Sequence, residues 1–391
     1  MRLSHIIVFS VLLHGLFAQG TWTQLNNFPG GTWYAQASFS IEGNGYVCTG
    51  FNGSQNNAQL WEYTPATDTW VMKAMFPGGA RQYATGFAIG GQGYITCGWD
   101  NVNDIDYNDL WAYDPVSDAW TQKADLPGPP RYAGAAFCIG DTCYYGTGAA
   151  NAQWQKDLYA YDPLSDTWSQ RAEFTGHERR WAVAFAADGK GYIGTGESSG
   201  VRYKDFYAFD PLTNSWTQTA DLGTDTRRQA MAFTIGGQAY VGGGVDFTIN
   251  FNDFNRYDPV ADDWTVVAPF PLPVRKNSAA FSIGGMAYLV GGNGQSPILN
   301  EVWSFTPDTI TTGLGTIRAN TFSVFPDPVE TVLHIGATTT GTYRLLSSTG
   351  DLIHWGSLNN GTIAVENLAP GLYILELDYG NDVRRAHFVK K

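Results

Sequence analysis

The chain has 391 residues, a formal net charge of −13, four cysteines and an unusual share of aromatic residues, 15%. So acidic a surface argues against nucleic acid or an anionic membrane as partner. Charged residues are few and glycines many (46), which suits a protein working outside the cell. Residues 1–18 read as a signal peptide: Arg2, an apolar run from Ile6 to Phe17, then Ala18 as the cleavage residue. That run is too short to span a bilayer as a helix, and no later segment qualifies.

Residues 19–307 are organised by period. Trp22, Trp70, Trp120, Trp168, Trp216 and Trp264 follow one another at steps of 48 or 50 residues, the mark of one supersecondary unit copied along the chain. Each copy holds short apolar runs bounded by Gly, Pro and Asp, which read as four strands joined by tight turns. No stretch has a 3.6-residue apolar period, so little helix is expected. Other anchors recur in step. Tyr46, Tyr94, Tyr144, Tyr192, Tyr240 and Tyr288 mark the second strand; Tyr63, Tyr113, Tyr161, Phe209, Tyr257 and Phe305 mark the third. Arg81, Arg131, Arg179, Arg227 and Arg275 open the first strand, with Trp33 in that place in the first copy. Asp-Pro at 114–115, 162–163, 210–211 and 258–259 makes the third turn, where Pro presets a dihedral and Asp bonds the backbone ahead.

These anchors resemble the kelch repeat over about residues 20–307. The resemblance implies a β-propeller of four-stranded blades. The last copy lacks a closing Trp strand, while Thr21-Trp22-Thr23 is a closing strand with no blade before it. Joining the two gives an all-β, six-bladed kelch-type propeller closed by its N-terminal strand, which protects the sheet edges. The six Trp then serve packing between blades.

In such a blade the first-to-second turns are short and uniform, and the second-to-third loops are long and unequal: 51–58, 99–108, 149–156, 197–204, 245–252 and 293–299. Variable loops on a rigid repeat are where ligands bind. The candidate ligand site on this face comprises Trp33, Arg81, Trp99, Arg131, Trp154, Arg179, Arg180, Glu197, Arg227, Arg228 and Arg275. The Arg series has two readings: a cationic ring gripping carboxylates, or a structural ion pair that recurs because every copy needs it. The doubled Arg179-Arg180 and Arg227-Arg228, and Trp33, break the symmetry and are the places to look first. Asp104-x-Asp106-x-Asn108 has the alternating oxygens of a calcium loop without its Gly and closing Glu, and reads better as a solvated acidic loop. Cys138 and Cys143 flank a two-residue turn and fall opposite each other, a geometry that permits a disulfide; Cys48 and Cys97 are expected free. No cysteine spacing matches a zinc site, and no metal or cofactor is expected.

Residues 308–320 read as a Thr- and Gly-rich linker. Residues 321–391 alternate in short runs that suggest a small Ig-like β-sandwich. Its landmarks are Pro326 and Pro328, Gly350, Gly371 and Tyr373 within Leu368-Ala369-Pro370-Gly371-Leu372-Tyr373, and the basic end Lys390-Lys391. They resemble the C-terminal type A sorting domain of type IX secretion cargo, with Asp327 where that family usually has Asn. The resemblance implies passage through the type IX machinery to the outside, or to the outer surface, of a Gram-negative bacterium.

Two functions remain open. One is a secreted, monomeric binding protein whose long-loop face takes a protein or glycan. The other is an enzyme. A kelch-type copper radical oxidase would need paired His, and the propeller segment holds only His177. A six-bladed sugar mutarotase resembles the chain in blade count; its acid and base would come from Glu197, Asp100 or Glu178 beside an Arg. The two are separated by geometry: an acidic side chain and two Arg converging at the channel mouth favour the enzyme.

Overall fold

The computed structural model describes residues 20–308 except 295–296, and, further on, 324–325, 329–335, 340–347, 352–359, 361–378 and 383–391. The signal peptide with Ala18, the linker from residue 309, and Pro326, Pro328 and Gly350 lie outside the described residues. The chain divides into two compact units between Thr309 and Ile310.

The first unit is built from four-stranded antiparallel sheets, six of them among the described residues. The first sheet shows the plan: Ala37–Ile41, Asn44–Cys48, Leu60–Thr64 and Thr69–Met72 pair in chain order. Four more sheets follow the same order. The sixth takes Ala279–Ile283, Met286–Val290 and Val302–Thr306 from the late chain and Thr21–Gln24 from its start, with Trp22 opposite Phe305.

Closure is visible in the backbone. The residue two places after each first-strand Arg or Trp33 takes a left-handed φ of 54–58° (Ala35, Tyr83, Ala133, Trp181, Gln229 and Asn277). That conformation is uncommon outside glycine. It turns each amide onto the carbonyl of the equivalent residue one sheet earlier, at 3.0–3.1 Å. The series ends where it began, with Ala35 donating to Asn277. Six hydrogen bonds thus form a closed circle, and the first strands of successive sheets are neighbours all the way round, including Ala279–Ile283 beside Ala37–Ile41. Small residues permit this crowding: a Cβ on Gly86 would lie 2.7 Å from the Ser38 carbonyl oxygen.

The periodic Trp cover the seams between sheets. Trp120, Trp168, Trp216, Trp264 and Trp22 each donate their indole N–H to the carbonyl of an Ala in the link that leaves the preceding sheet, at 2.8–3.1 Å. Before Trp120, Trp168 and Trp264, an Asp two places earlier accepts both an amide of that link and the hydroxyl of the third-strand Tyr, as Asp118 does from Ala74 and Tyr113. Where Phe209 replaces the Tyr, Asn214 replaces the Asp and keeps only the backbone bond. These side chains fix the seam between sheets rather than any ligand.

In the second unit Asn359 pairs with Thr362 and so joins Leu352–Asn359 to Thr362–Ala364. The unit's strands hydrogen-bond as one seven-stranded sheet, in the order Val324–Phe325, Val332–Ile335, Thr362–Ala364, Leu352–Asn359, Thr340–Ser347, Gly371–Asp378 and Val383–Lys390. The sheet curls until its ends approach: Val329 bridges in parallel to Lys390, and its amide bonds the Val389 carbonyl at 2.8 Å. Inside lie Leu333, Leu345, Leu375, Leu377 and Phe388. Of the expected landmarks, Gly371 pairs with Lys390 at the strand start. Tyr373 stacks on Phe388 and donates to the Ala369 carbonyl at 2.8 Å. Lys390 is buried and Lys391 is exposed.

Candidate functional site

The five periodic Arg do not form the ligand-gripping ring. Arg81, Arg131, Arg179, Arg227 and Arg275 are 0–1% exposed and rank among the most buried side chains of the protein. Each guanidinium donates to the carbonyl of the residue immediately after its second strand (Cys97, Thr147, Thr195, Gly243 or Gly291) at 2.9–3.2 Å. It also pairs with a carboxylate that opens the third strand. These partners are Asp109 at 2.5 Å, Asp157, Asp205 at 2.6 Å, Asp253 at 2.7 Å and Glu301. The carbonyl belongs to a residue at φ 57–62° in every copy, so Thr and Cys take the left-handed turn that Gly takes in the last two. A buried Arg fork anchors that turn, and such a fork needs its carboxylate. The first copy has lost both members, with Trp33 for the Arg and Gln59 for the Asp. Trp33 is itself buried and donates its N–H to the Gly30 carbonyl at 2.8 Å. None of these six residues has surface to offer a ligand.

The residue immediately after each of them does. Tyr34, Gln82, Tyr132, Arg180, Arg228 and Lys276 bridge to the first residue of the adjoining long loop, and so stand around the mouth of the ring. The bore beneath them is stopped. Tyr83 lies across it, accepting hydrogen bonds from Gln229 at 3.0 Å and Asn277 at 3.3 Å, with its ring against Tyr132 and Trp181. A central cavity of about 260 Å³ continues below, lined by first-strand residues such as Ser38, Ala136 and Ala184. A ligand at the mouth therefore meets side chains rather than an open channel.

The mouth holds one concentrated polar cluster, and Glu197 is its centre. Glu197 is 4% exposed. It begins a small hairpin, Glu197–Ser198 with Val201–Arg202, whose backbone bridges to Arg180. Its Oε1 accepts from Arg180 at 2.9 Å and 3.3 Å, and its Oε2 accepts from Arg228 at 2.7 Å, with Arg202 at 3.7 Å. Three guanidiniums thus converge on one carboxylate; the next acid, Asp246, is 3.8 Å from Arg202. The cationic excess shows in neighbouring groups. Burial pushes the Arg228 guanidinium below its ordinary range; Glu197 opposes that, and Arg202 and Arg180 reinforce it. Burial, and then Arg228, push Lys276 down likewise. A site crowded with like charges gains by taking an anion.

Aromatic rings complete it. Arg180 lies 3.8 Å over the Trp181 ring and 5.4 Å from Trp154, and Arg228 lies 4.7 Å from Trp181. The third edge of the Arg180 guanidinium donates to the Tyr132 hydroxyl at 2.7 Å. Arg180 therefore ties Glu197 on one side to Tyr132 on the other. Tyr132 stacks on Trp99, and Trp99, Tyr132, Trp154 and Arg180 wall an off-axis cavity of about 650 Å³. The indole N–H groups of Trp154 and Trp181 are buried without a hydrogen-bond partner among the described residues.

Of the expected site residues, Trp99, Trp154, Arg180, Glu197 and Arg228 come together here; the five periodic Arg and Trp33 do not. Tyr132, Trp181 and Arg202 join them. The signal for Trp181 lay two places after the Arg, where the copies carry Ala35, Tyr83, Ala133, Trp181, Gln229 and Asn277 and one of them is Trp. Asp100 is spent on the loop: burial would raise its pKa, but hydrogen bonds from Asn103, Val102 and Asn56 outweigh that and hold it down. Glu178 lines a separate cavity beyond Trp154. In the Asp104–Asn108 loop the three side chains do not converge: Asp104 accepts from Trp99 at 3.3 Å, and Asn108 donates to the Leu126 carbonyl. Cys138 and Cys143 pair in register and are joined by a disulfide, with Cα atoms 4.0 Å apart; Cys48 and Cys97 are buried thiols.

Comparisons with known proteins bear on both units. Residues 323–391 match the family model described as a secretion system C-terminal sorting domain. That match makes the protein a cargo of the type IX export machinery, destined for the cell surface or the extracellular space of a Gram-negative bacterium. No curated protein matches the chain in sequence. Among solved structures, the one titled "Structure of YjhT" superposes with a TM-score of 0.64 at 17% identity, covering 73% of this chain and 98% of that one. At that identity the likeness shows the fold alone, an all-β propeller.

Proposed function

We propose that the first unit is a six-bladed kelch-type propeller acting as a mutarotase- or epimerase-like enzyme on an acidic reducing sugar at the mouth of the ring. The observation that carries this reading is the Arg180 guanidinium, which bridges a carboxylate, Glu197, and a phenol, Tyr132, at the wall of the 650 Å³ cavity.

Interconverting anomers requires one proton to leave the anomeric hydroxyl and another to reach the ring oxygen. Glu197 takes the first as the ring C–O bond breaks and the carbonyl forms. The Tyr132 hydroxyl delivers the second, and the phenolate left behind is held by Arg180. Reclosure on the other face of the carbonyl returns both protons, so neither group is consumed. Arg228 and Arg202 are left to hold the carboxylate of the sugar, which answers the excess of cations. Trp99, Trp154 and Trp181 offer faces to a pyranose ring.

Exchange spectroscopy by NMR tests this directly, with galacturonic acid and glucose as probes and the anomeric proton signals as readout. Addition of the protein is expected to speed anomer exchange of the acid, and E197Q to slow that exchange by about a hundredfold or more. Equal rates with and without protein for both sugars would overturn the enzyme reading. Tight binding of galacturonic acid without faster exchange would move the same residues to the second reading, a secreted carbohydrate-binding protein, which the aromatic walls favour.

A further inference from the structure

The cluster around Glu197 does not sit at the end of a pocket. Its Arg180 lines a cavity to one side, and Trp154 is where that cavity leads. Trp154 ends a two-strand hairpin, Ala149–Ala150 with Gln153–Trp154, whose turn residues Asn151 and Ala152 both take left-handed φ values, 49° and 59°. That turn holds the indole out from the sheet between two cavities. One is the 650 Å³ cavity that runs from Arg180 past Tyr132 and Trp99. The other, about 400 Å³, lies beyond and is lined by Gln153, Trp154, Lys156 and Glu178. The two share Trp154 and Ala152 as their common wall.

The bore on the other side is closed by Tyr83, so the free space at the reaction centre runs outward, across successive blades. The first cavity already falls within the roughly 300–1,000 Å³ typical of small-molecule sites; a single pyranose beside Arg180 would leave the second untouched. The chemistry changes along the path: the Arg180 guanidinium at one end, an indole in the middle, then an amide, an ammonium and a carboxylate at the far end. That sequence suits a sugar chain, with a charged unit first, a ring stacked next, and hydroxyl contacts last.

We infer that the ligand is a carboxylated oligosaccharide of at least two units, whose terminal acidic unit is held at the Arg180–Arg228 cluster and whose next unit stacks on Trp154 and reaches Gln153, Lys156 and Glu178. The inference rests on the proposed function for its first subsite. The second subsite is this structure's addition.

The test is binding as a function of chain length, using calorimetry on the full protein with galacturonic acid and with its dimer and trimer. Affinity is expected to rise by about tenfold from monomer to dimer or trimer. Trp154→Ala should remove that gain while also weakening the monomer, Lys156→Ala with Glu178→Ala, which line the second cavity and not the first, should remove it and leave monomer affinity unchanged, and R180A should weaken all three probes together. A trimer that binds no tighter than the monomer overturns the inference, as does a length gain that survives in W154A or an absence of binding by all three. Because the hairpin lies outside the sheets, an unchanged melting temperature identifies W154A as a folded variant. Failure here with anomer exchange intact would sink the extended groove alone; loss of exchange would sink the reading beneath it.

Discussion

Arg227 and Arg228 are neighbours on the chain, as are Arg179 and Arg180, yet they lead opposite lives. The first of each pair is sealed in the repeat, bonded to a strand-end carbonyl and a carboxylate. The second stands at the mouth, sharing Glu197 with its counterpart from the next sheet. The difference follows from strand geometry, since successive side chains point to opposite faces. It follows also from what each copy requires. A turn with left-handed φ has to be anchored in every copy, whereas a ligand site needs to be built once.

This contrast can be broken experimentally, and the largest effect falls on the buried member. Arg227→Ala should cost about 3–5 kcal/mol by leaving Asp253 without its partner, read as a large fall in thermal midpoint; Arg228→Ala should cost less than about 1 kcal/mol, since it is partly exposed, while impairing the ligand site. Comparable losses from both would erase the distinction. The first copy suggests the next experiment. If Trp33 with Gln59 replaces the Arg–Asp pair as a unit, then Arg81→Trp and Asp109→Gln should each destabilise alone and should together be less harmful than their sum. A double-mutant cycle with a coupling of about 1 kcal/mol or more checks this; strict additivity would contradict it.

Acid offers a gentler probe. Burial raises the Asp253 carboxyl, but Arg227, Thr224 and Asn255 outweigh it and hold the group below its ordinary range. A carboxyl depressed in the folded state adds stability above its unfolded value, and that stability is lost as pH falls through the folded one. The propeller should therefore lose stability below about pH 4, and Asp253→Asn should flatten that dependence while lowering stability at neutral pH. The smallest effect belongs to the disulfide. Cys138 and Cys143 close a tiny loop, so replacing both with Ser should cost about 2 kcal/mol or less, with the anomer exchange unaltered; a loss of exchange would tie the bond to the site.

Period carried the fold. Trp22 alone, orphaned ahead of its copies, pointed to the strand that completes the last sheet, and the pairing of Trp22 with Phe305 is the result. Period misled about the site, because the residues most visible as a series, the five Arg, recur to serve the turn they anchor. The second copy of each doubled Arg was legible as a break in symmetry. Its partner was not: nothing in the sequence relates Glu197 to Arg228 across 31 positions, and the two meet only because one sheet's loop overhangs the next sheet's first strand. Tyr132 was hidden in the same way, since its column of six also holds Tyr34, which has no part in the site. In the second unit the alternating runs gave the strands, but not whether their hydrogen bonds form two sheets or one, since alternation is the same in both.

The circle of six amide-to-carbonyl bonds gives the first unit a property of its own, for in a closed ring no copy is first. Trp22 rests against Phe233, Phe254, Phe270 and Phe305, so the seam of the sixth sheet is upholstered as fully as any other. The order of the copies along the chain is then a matter of where the thread was cut. A circular permutant opened in the link between Met72 and Thr85, with residues 20 and 308 joined by a short spacer, should assemble the same mouth from the same side chains.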